Sequence, residues 1–389
     1  MSGKVTGKGL FQKRLIAWYR KESRKNLPWR KTRDPYRIWI SEAMLQQTQV
    51  AMVIPYYERF LERFPTVQRL SRAPLTEVLD SWSGLGYYSR AKNLHACAQR
   101  IVREHSGKLP NQVDSLMKLP GIGRYTAGAI SSIAFDRPAP ILDGNVQRVL
   151  CRYFGIREDP RQVQIRRKLW RLAEQLVPET APGDFNQALM ELGATLCAPR
   201  QPRCGACPVS RGCRALRRGW QESIPPPRPA ASRKKIRYPC AIFRKNGSVL
   251  IARRPIATLL PGLWEFPGGE QRPGESLAGA LRCRLAERLG IRVEPGPRRA
   301  QVKQQLSHRE LDIQAFQAEW PGGRPRLRWY MESRWILGTE MGKVSFTAGM
   351  AKLAKQIREN HGQCQTKSPG GPTLQPDRHL VRCGGTPQG

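Results

Sequence analysis

The stretch "CAPRQPRCGACPVSRGC", Cys197 to Cys213, places four of the chain's ten cysteines within seventeen residues. Thiols crowded that closely bend the backbone around a shared centre. Their spacing is C-x6-C-x2-C-x5-C. A cage of four thiolates suits a tetrahedral zinc ion or a cubane iron–sulfur cluster. Zinc ribbons pair two C-x2-C knuckles, whereas only one pair here is that close. The longer outer spacings suit a centre wider than one ion, and spacing alone leaves both metals open. Disulfides are not expected. The N-terminal "MSGKVTGKGLFQKRL" is basic but lacks the apolar core and cleavage site of a secretory signal, so the expected compartment is intracellular and reducing. No apolar run reaches the roughly 18 residues that a membrane span requires.

Lys and Arg number 67 against 30 Asp and Glu, a formal charge of +37 over 389 residues. That excess points to a nucleic-acid partner. An arginine-rich genome biasing composition everywhere is the bland alternative, and charge alone excludes neither membrane nor nonspecific binding. With 40% hydrophobic residues, a chain of this length suits two or three globular domains. From about residue 10 to 195, apolar residues recur at three-and-four spacing, as in "VAMVIPYYERFLERF", which predicts helices. Pro-rich, basic "IPPPRPAASRKK", residues 224–235, reads as a linker after a helical domain at 1–223. The period then changes. "YPCAIFRKNGSVLIARR" has strand-like runs about Asn246-Gly247, "LDIQAFQAEW" reads as a strand and "SLAGALRCRLAERLGI" as a helix. Residues 236–358 are therefore expected to form an α+β domain, and the polar, Gly/Pro-rich 359–389 a disordered tail.

Several short stretches carry chemistry, each with a plainer reading beside it. "LPGIGRYTAGAI" sets Gly121 and Gly123 between helical patterns, where backbone N–H groups and a helix start could cradle a phosphate, directly or through a cation. A two-glycine turn between helices is also common. "WISEAMLQQTQV" holds Glu42 and "PAPILDGNVQRVL" holds Asp143; singly they read equally as a first-turn acid and an N-cap. "LWEFPGGEQRPGESLAGALRCRLAERLGI" looks like a Nudix box, G-x5-E-x7-R-E-U-x-E-E-x-G-U with U a bulky hydrophobe, and keeps the frame at Gly269, Glu275 and Gly290. Arg284 and Arg288 stand where two metal-binding glutamates belong. Cations do not ligate cations, so a Nudix hydrolase activity is not expected.

In this order, the motifs from about residue 10 to 355 resemble the MutY-type adenine DNA glycosylases of the endonuclease III, helix-hairpin-helix superfamily. The resemblance implies an all-α helix-hairpin-helix core, a 4Fe-4S cluster on Cys197, Cys204, Cys207 and Cys213, and then a Nudix-like domain. Glu42 would protonate the leaving adenine and Asp143 would stabilise the sugar cation, with Asn145 in the same site. Tyr125 occupies the position where bifunctional relatives carry the lysine that attacks the sugar, which implies a glycosylase without lyase chemistry. Gly121 and Gly123 would hold the DNA backbone; Trp29, Arg30 and Gln187 would line the adenine pocket. Gln47 and Tyr87 would enter the base stack, with Thr48 and Leu85 touching the opposite base. Ser307 and His308 would read 8-oxoguanine, although the family's Phe-Ser-His is Leu306-Ser307-His308 here. The implied partner is duplex DNA with adenine opposite 8-oxoguanine or guanine, handled by a monomer in the bacterial cytoplasm and nucleoid. The enzyme alternative is an endonuclease III-like glycosylase/lyase; the non-enzyme alternative is an iron–sulfur DNA-binding or sensing protein. A Nudix phosphohydrolase ranks last.

Overall fold

The computed structural model describes residues 7–227, 233–306 and 309–364. Twelve helices lie in the first part: α1 Lys8–Glu22, α2 Pro35–Leu45, α3 Val50–Arg63, α4 Val67–Arg72, α5 Leu75–Ser81, α6 Ser89–Glu104, α7 Val113–Met117, α8 Arg124–Phe135, α9 Gly144–Phe154, α10 Val163–Leu176, α11 Pro182–Thr195 and α12 Arg214–Arg217. Local signals set their ends. Asp34 caps α2, its Oδ1 accepting from the backbone of Tyr36 (2.8 Å) with Pro35 at the first helical position. Thr66 caps α4 in the same way, and left-handed Gly155 (φ 65°) ends α9.

The helices share one apolar core. α2 packs on α8 and α4 on α6, while α1 returns across more than 160 residues to pack on α11, which also rests on α9 and α8. Arg20 bridges to Asp184 at 2.8 Å and the Gln12 amide donates to the Leu176 carbonyl at 2.7 Å. α11 comes unusually near α9: a Cβ on Gly193 would lie 2.6 Å from the Asn145 Cβ. α7, the turn at Gly121 (φ 75°) and α8 make the helix-hairpin-helix expected from sequence.

The second part is α+β, as expected. Strands β1 Lys234–Lys245, β2 Ser248–Arg253, β3 Trp264–Glu265, β4 Arg298–Gln305, β5 Arg309–Ala318 and β6 Glu332–Leu337 form one mixed sheet ordered β3-β2-β1-β5-β4, with β6 also on β2. β1 and β5 run parallel, with Ile236 opposite Leu311 and Ala241 opposite Phe316. Asn246 and Gly247, both left-handed, close the β1–β2 hairpin with Lys245 opposite Ser248. Helix α13, Leu277–Leu289, and helix α14, Ala348–Cys364, cover opposite faces, each over its own apolar cluster. α14 runs past the boundary expected at residue 358, and β1 begins within the stretch read as linker. Ile224 from that stretch is buried and its carbonyl accepts from Arg152 at 2.8 Å, so the first residues of the expected linker belong to the helical core.

Arginines fill the centre of the degenerate Nudix box. Arg284, 5% exposed, reaches Glu275 (3.2 Å) and Glu287 (3.3 Å), and a Cβ on Gly269 would meet its Cγ at 2.7 Å. Arg288 lies 3.8 Å from the Trp329 ring centre and 3.5 Å from Glu265. Glu265 is buried, with Arg254 donating to it at 2.5 Å and the phenols of Tyr238 and Tyr330 each at 2.9 Å. Guanidinium groups of the chain thus pair with Glu275, Glu287 and Glu265 in this box.

Candidate active site

A cavity of about 660 Å³ opens among the helices. Its walls come from α2, the Trp29–Arg30 turn, α8, the start of α9 and α11, so residues from Arg24 to Ala194 share one chamber. Glu42 sits at the eighth residue of α2 and is 5% exposed, which removes the first-turn reading of this acid. Burial, assisted by the charge of Asp143, pushes its carboxyl up to about 7 against the lowering effect of a hydrogen bond from Tyr125. That phenol donates to Glu42 Oε2 at 2.7 Å and lies 3.1 Å from Met190 Sδ. Burial and the neighbouring carboxyls of Glu42 and Asp143 raise the Tyr125 phenol well above its usual range, so it stays a proton donor.

Asp143 caps α9, as the plainer reading expects, and also lines the cavity. Oδ1 accepts from the Val146 N–H at 2.7 Å and Oδ2 from the Asn145 amide at 3.2 Å. Burial raises its carboxyl, and those two donors with the Arg148 charge oppose the shift. Arg148 donates to Asn145 Oδ1 (2.8 Å), the Gly193 carbonyl (2.8 Å) and the Cys197 carbonyl (2.7 Å). One arginine thus connects the aspartate's partner to the start of the cysteine loop.

Trp29 is buried edge-on to Tyr57 at 5.5 Å. Arg30 lines the cavity, but its guanidinium is engaged by Glu191 (2.7 Å) and the Arg24 carbonyl (2.9 Å). Glu191 is 2% exposed; despite the desolvation that would raise it, Arg24 and Arg30 hold it down to about 2. Sequence reading missed Glu191, Arg148 and Arg90. The available signal was a charged residue inside an apolar helical stretch, as in "FNQALMELG". Gln187 is half-buried on the same wall.

Gln47 and Thr48 stand at the cavity rim, Gln47 exposed. Tyr87 projects with 42% of its surface exposed from the turn before α6. Gln47 (φ 56°) and Tyr87 (φ 50°) are both left-handed without being glycine. Leu85 departs from expectation: it is 5% exposed and packs inward, because the tight Gly84–Gly86 turn buries its side chain in the helical core. Gly121 and Gly123 are exposed at the hairpin, Gly123 preceding α8. Ser307 and His308 lie outside the described residues.

Cys197, Cys204, Cys207 and Cys213 line one small apolar cavity of about 30 Å³, together with Arg152, Leu196 and Leu216. None of the four is joined in a disulfide. Burial raises the Cys207 thiol to about 12, with the other three cysteines adding to the shift. Arg152 donates toward Cys197 Sγ (3.3 Å) and to the Ala198 carbonyl (2.7 Å). Among the described residues, no three His, Cys, Asp or Glu side chains converge tightly enough for a single metal ion. Nor is any described helix long and apolar enough to cross a membrane.

A buried acid poised near neutrality, a helix-capping aspartate on the same cavity and an exposed helix-hairpin-helix suit a base-excision glycosylase fold with an appended Nudix-like sheet. The comparisons agree. Residues 40–175 match the HhH-GPD superfamily of base excision DNA repair proteins and residues 239–356 the NUDIX domain. A rat adenine DNA glycosylase is 37% identical over 410 aligned residues, covering 91% of this chain and 79% of that protein. An adenine DNA glycosylase of Buchnera aphidicola is 45% identical over 54% of this chain and 61% of its own. The solved structure of a thermostable thymine-DNA glycosylase superposes with a TM-score of 0.50 at 32% identity, covering 54% of this chain and 97% of that one. The chain belongs to the adenine DNA glycosylase family.

Proposed function

We propose that the protein removes adenine from duplex DNA where it stands opposite 8-oxoguanine or guanine, and leaves an abasic site without cutting the strand. The observation that carries this reading is Glu42, buried in the cavity wall and raised to about 7, with the Tyr125 hydroxyl donating to its Oε2. Near neutrality such an acid gives a proton to N7 of a bound adenine as the bond from N9 to C1′ breaks. The oxocarbenium-like sugar is stabilised by the negative charge of Asp143. Water adds its hydroxyl to C1′ and returns its other proton to the carboxyl pair, so the acid is restored.

Trp29, Arg30 and Gln187 receive the extruded base, and the fixed Arg30–Glu191 pair keeps that wall rigid. Gln47 and Tyr87 fill the gap left in the stack, with Thr48 beside them. The Gly121–Gly123 turn offers backbone N–H groups, or a cation bound by it, to DNA phosphates. Ser307 and His308 read the opposite base. Tyr125 supports the monofunctional assignment over a glycosylase/lyase, since a phenol held as a donor to Glu42 forms no imine.

The four thiols fit a 4Fe-4S cluster in chemistry and placement. They share one apolar cavity, and Arg152 is positioned to offset thiolate charge. When bound, such a cluster supplies a fixed crosslink for a basic loop carrying Arg200, Arg203, Arg211 and Arg214. The protein acts as a monomer in the cytoplasm, associated with the nucleoid.

Single-turnover excision from duplexes with adenine opposite 8-oxoguanine, guanine, cytosine or thymine, with and without alkali, tests the reading. Cleavage after alkali only, confined to the first two pairs, is expected. Release of a pyrimidine, or strand scission without alkali, would overturn it.

A further inference from the structure

Arg90, in the first turn of α6, is 8% exposed and none of the acceptors recorded for it is a carboxylate. Its guanidinium makes hydrogen bonds in two directions. Nη1 donates to the carbonyls of Ala43 (2.9 Å), Met44 (2.6 Å) and Gln46 (2.8 Å). Nη2 donates to Thr48 Oγ1 (3.1 Å) and the Gly86 carbonyl (3.0 Å). Longer contacts reach the Leu85 and Tyr87 carbonyls, both at 3.4 Å. The first group is the open C-terminal end of α2, where unpaired carbonyls concentrate negative potential. The second group joins Thr48, just beyond α2, to the tight turn before α6. The same guanidinium lies 5.3 Å from the ring centres of Trp82 and Tyr87.

These bonds fall on both sides of the two strained residues. Gln46 O and Thr48 Oγ1 bracket Gln47; Gly86 O and Tyr87 O bracket the Tyr87 Cα. Left-handed conformations of non-glycine residues persist only where the surroundings over-determine them. A buried cation satisfied by carbonyl dipoles from two separate loops provides that constraint. Lysine at this position would carry the charge but has no planar fork to span both loops.

We infer that Arg90 is a positioning residue that locks the 46–48 and 85–87 loops together as one preformed wedge for opening the duplex. The inference rests on the reading of Gln47 and Tyr87 as the residues that enter the stack. Arg90 touches neither the cavity nor the reacting bond; it acts through the loops it joins. Locking them in advance means that DNA binding need not order them, and the wedge geometry is the same for any opposite base.

The test compares full-length wild type with Arg90→Lys and Arg90→Met on two duplexes. One has adenine paired opposite guanine. In the other, adenine faces an abasic-site analogue, so that less stacking and pairing must be broken. Single-turnover excision from the paired duplex should fall by roughly 10- to 100-fold, more for Met than for Lys. Excision opposite the abasic analogue should change by less than about 3-fold, and the pH profile set by Glu42 should stay in place. Fluorescence of 2-aminopurine beside the target adenine should show less unstacking on binding of either variant. Equal losses on both duplexes, or no loss on the paired one, would overturn the inference; the Lys variant decides the matter if the Met variant does not fold. A wild-type protein inactive on both duplexes would instead overturn the functional reading, and that result appears before any substitution is compared.

Discussion

Glu42 shows how one carboxyl links stability to function. Its folded value near 7 lies above an ordinary glutamate's, so its contribution to stability is fully present below about pH 4.5 and is lost as pH rises through 7. At pH 8 the buried carboxylate costs up to about 3 kcal/mol relative to a neutral group of the same shape. Glu42→Gln should therefore melt at higher temperature than wild type at pH 8, with the difference vanishing near pH 4.5. The same variant should bind DNA normally and lose essentially all excision, because its amide has no proton to give N7. Wild-type excision should fall as pH rises above 7, followed in single-turnover assays. At Tyr125, borohydride should trap little covalent enzyme–DNA adduct, measured as a shifted band on a denaturing gel. The cap at Asp143 was legible because a short acid just before a helix accepts from its first backbone N–H groups. Glu191 was not, since its meaning comes from Arg24 and Arg30, some 160 residues away in sequence.

Between elements, the closest approach near the site is that of α11 to the start of α9. Alanine ordinarily favours a helix over glycine by about 1 kcal/mol. At Gly193 the added Cβ would meet the Asn145 Cβ at 2.6 Å and its backbone carbonyl at 3.0 Å, and backbone does not yield cheaply. Gly193→Ala should thus destabilise, by roughly 1–3 kcal/mol in chemical denaturation. It should also slow excision more than it weakens DNA binding, because Asn145 and the cap at Asp143 move together. The cysteine loop offers a second element-level test. Anaerobically purified protein should contain iron and sulfide with broad visible absorption; stoichiometric zinc without sulfide would refute the cluster. The helix-hairpin-helix and the Asn246-Gly247 hairpin were readable because local turn chemistry determines both. Leu85 was misread, since whether a residue in a glycine turn faces solvent depends on the core beneath it.

Across the whole molecule, the second domain rests directly on the first. Arg253 of β2 pairs with Asp80 of α5 at 3.1 Å, Lys92 of α6 donates to the Ile256 carbonyl at 3.3 Å, and Leu263 joins the helical core. These contacts fall on the two helices that flank the Tyr87 turn. Sequence showed two domains and a linker but not this seat, because no local pattern encodes a contact 173 residues apart. Arg253→Ala should leave excision opposite guanine within a few-fold of wild type and reduce the preference for 8-oxoguanine, compared by single-turnover rates on both duplexes. Equal loss on both would make the seat a general support.

Arg284 and Arg288 bear on a different matter, supply. An ion that diffuses in from solution leaves its site partly vacant when its concentration drops, and a fold that depends on it softens accordingly. A guanidinium on the chain is delivered at synthesis, in fixed ratio, and no chelator withdraws it. In the Nudix-like domain the cations beside Glu265, Glu275 and Glu287 belong to the chain itself, so their pairing does not depend on an ion supplied from solution.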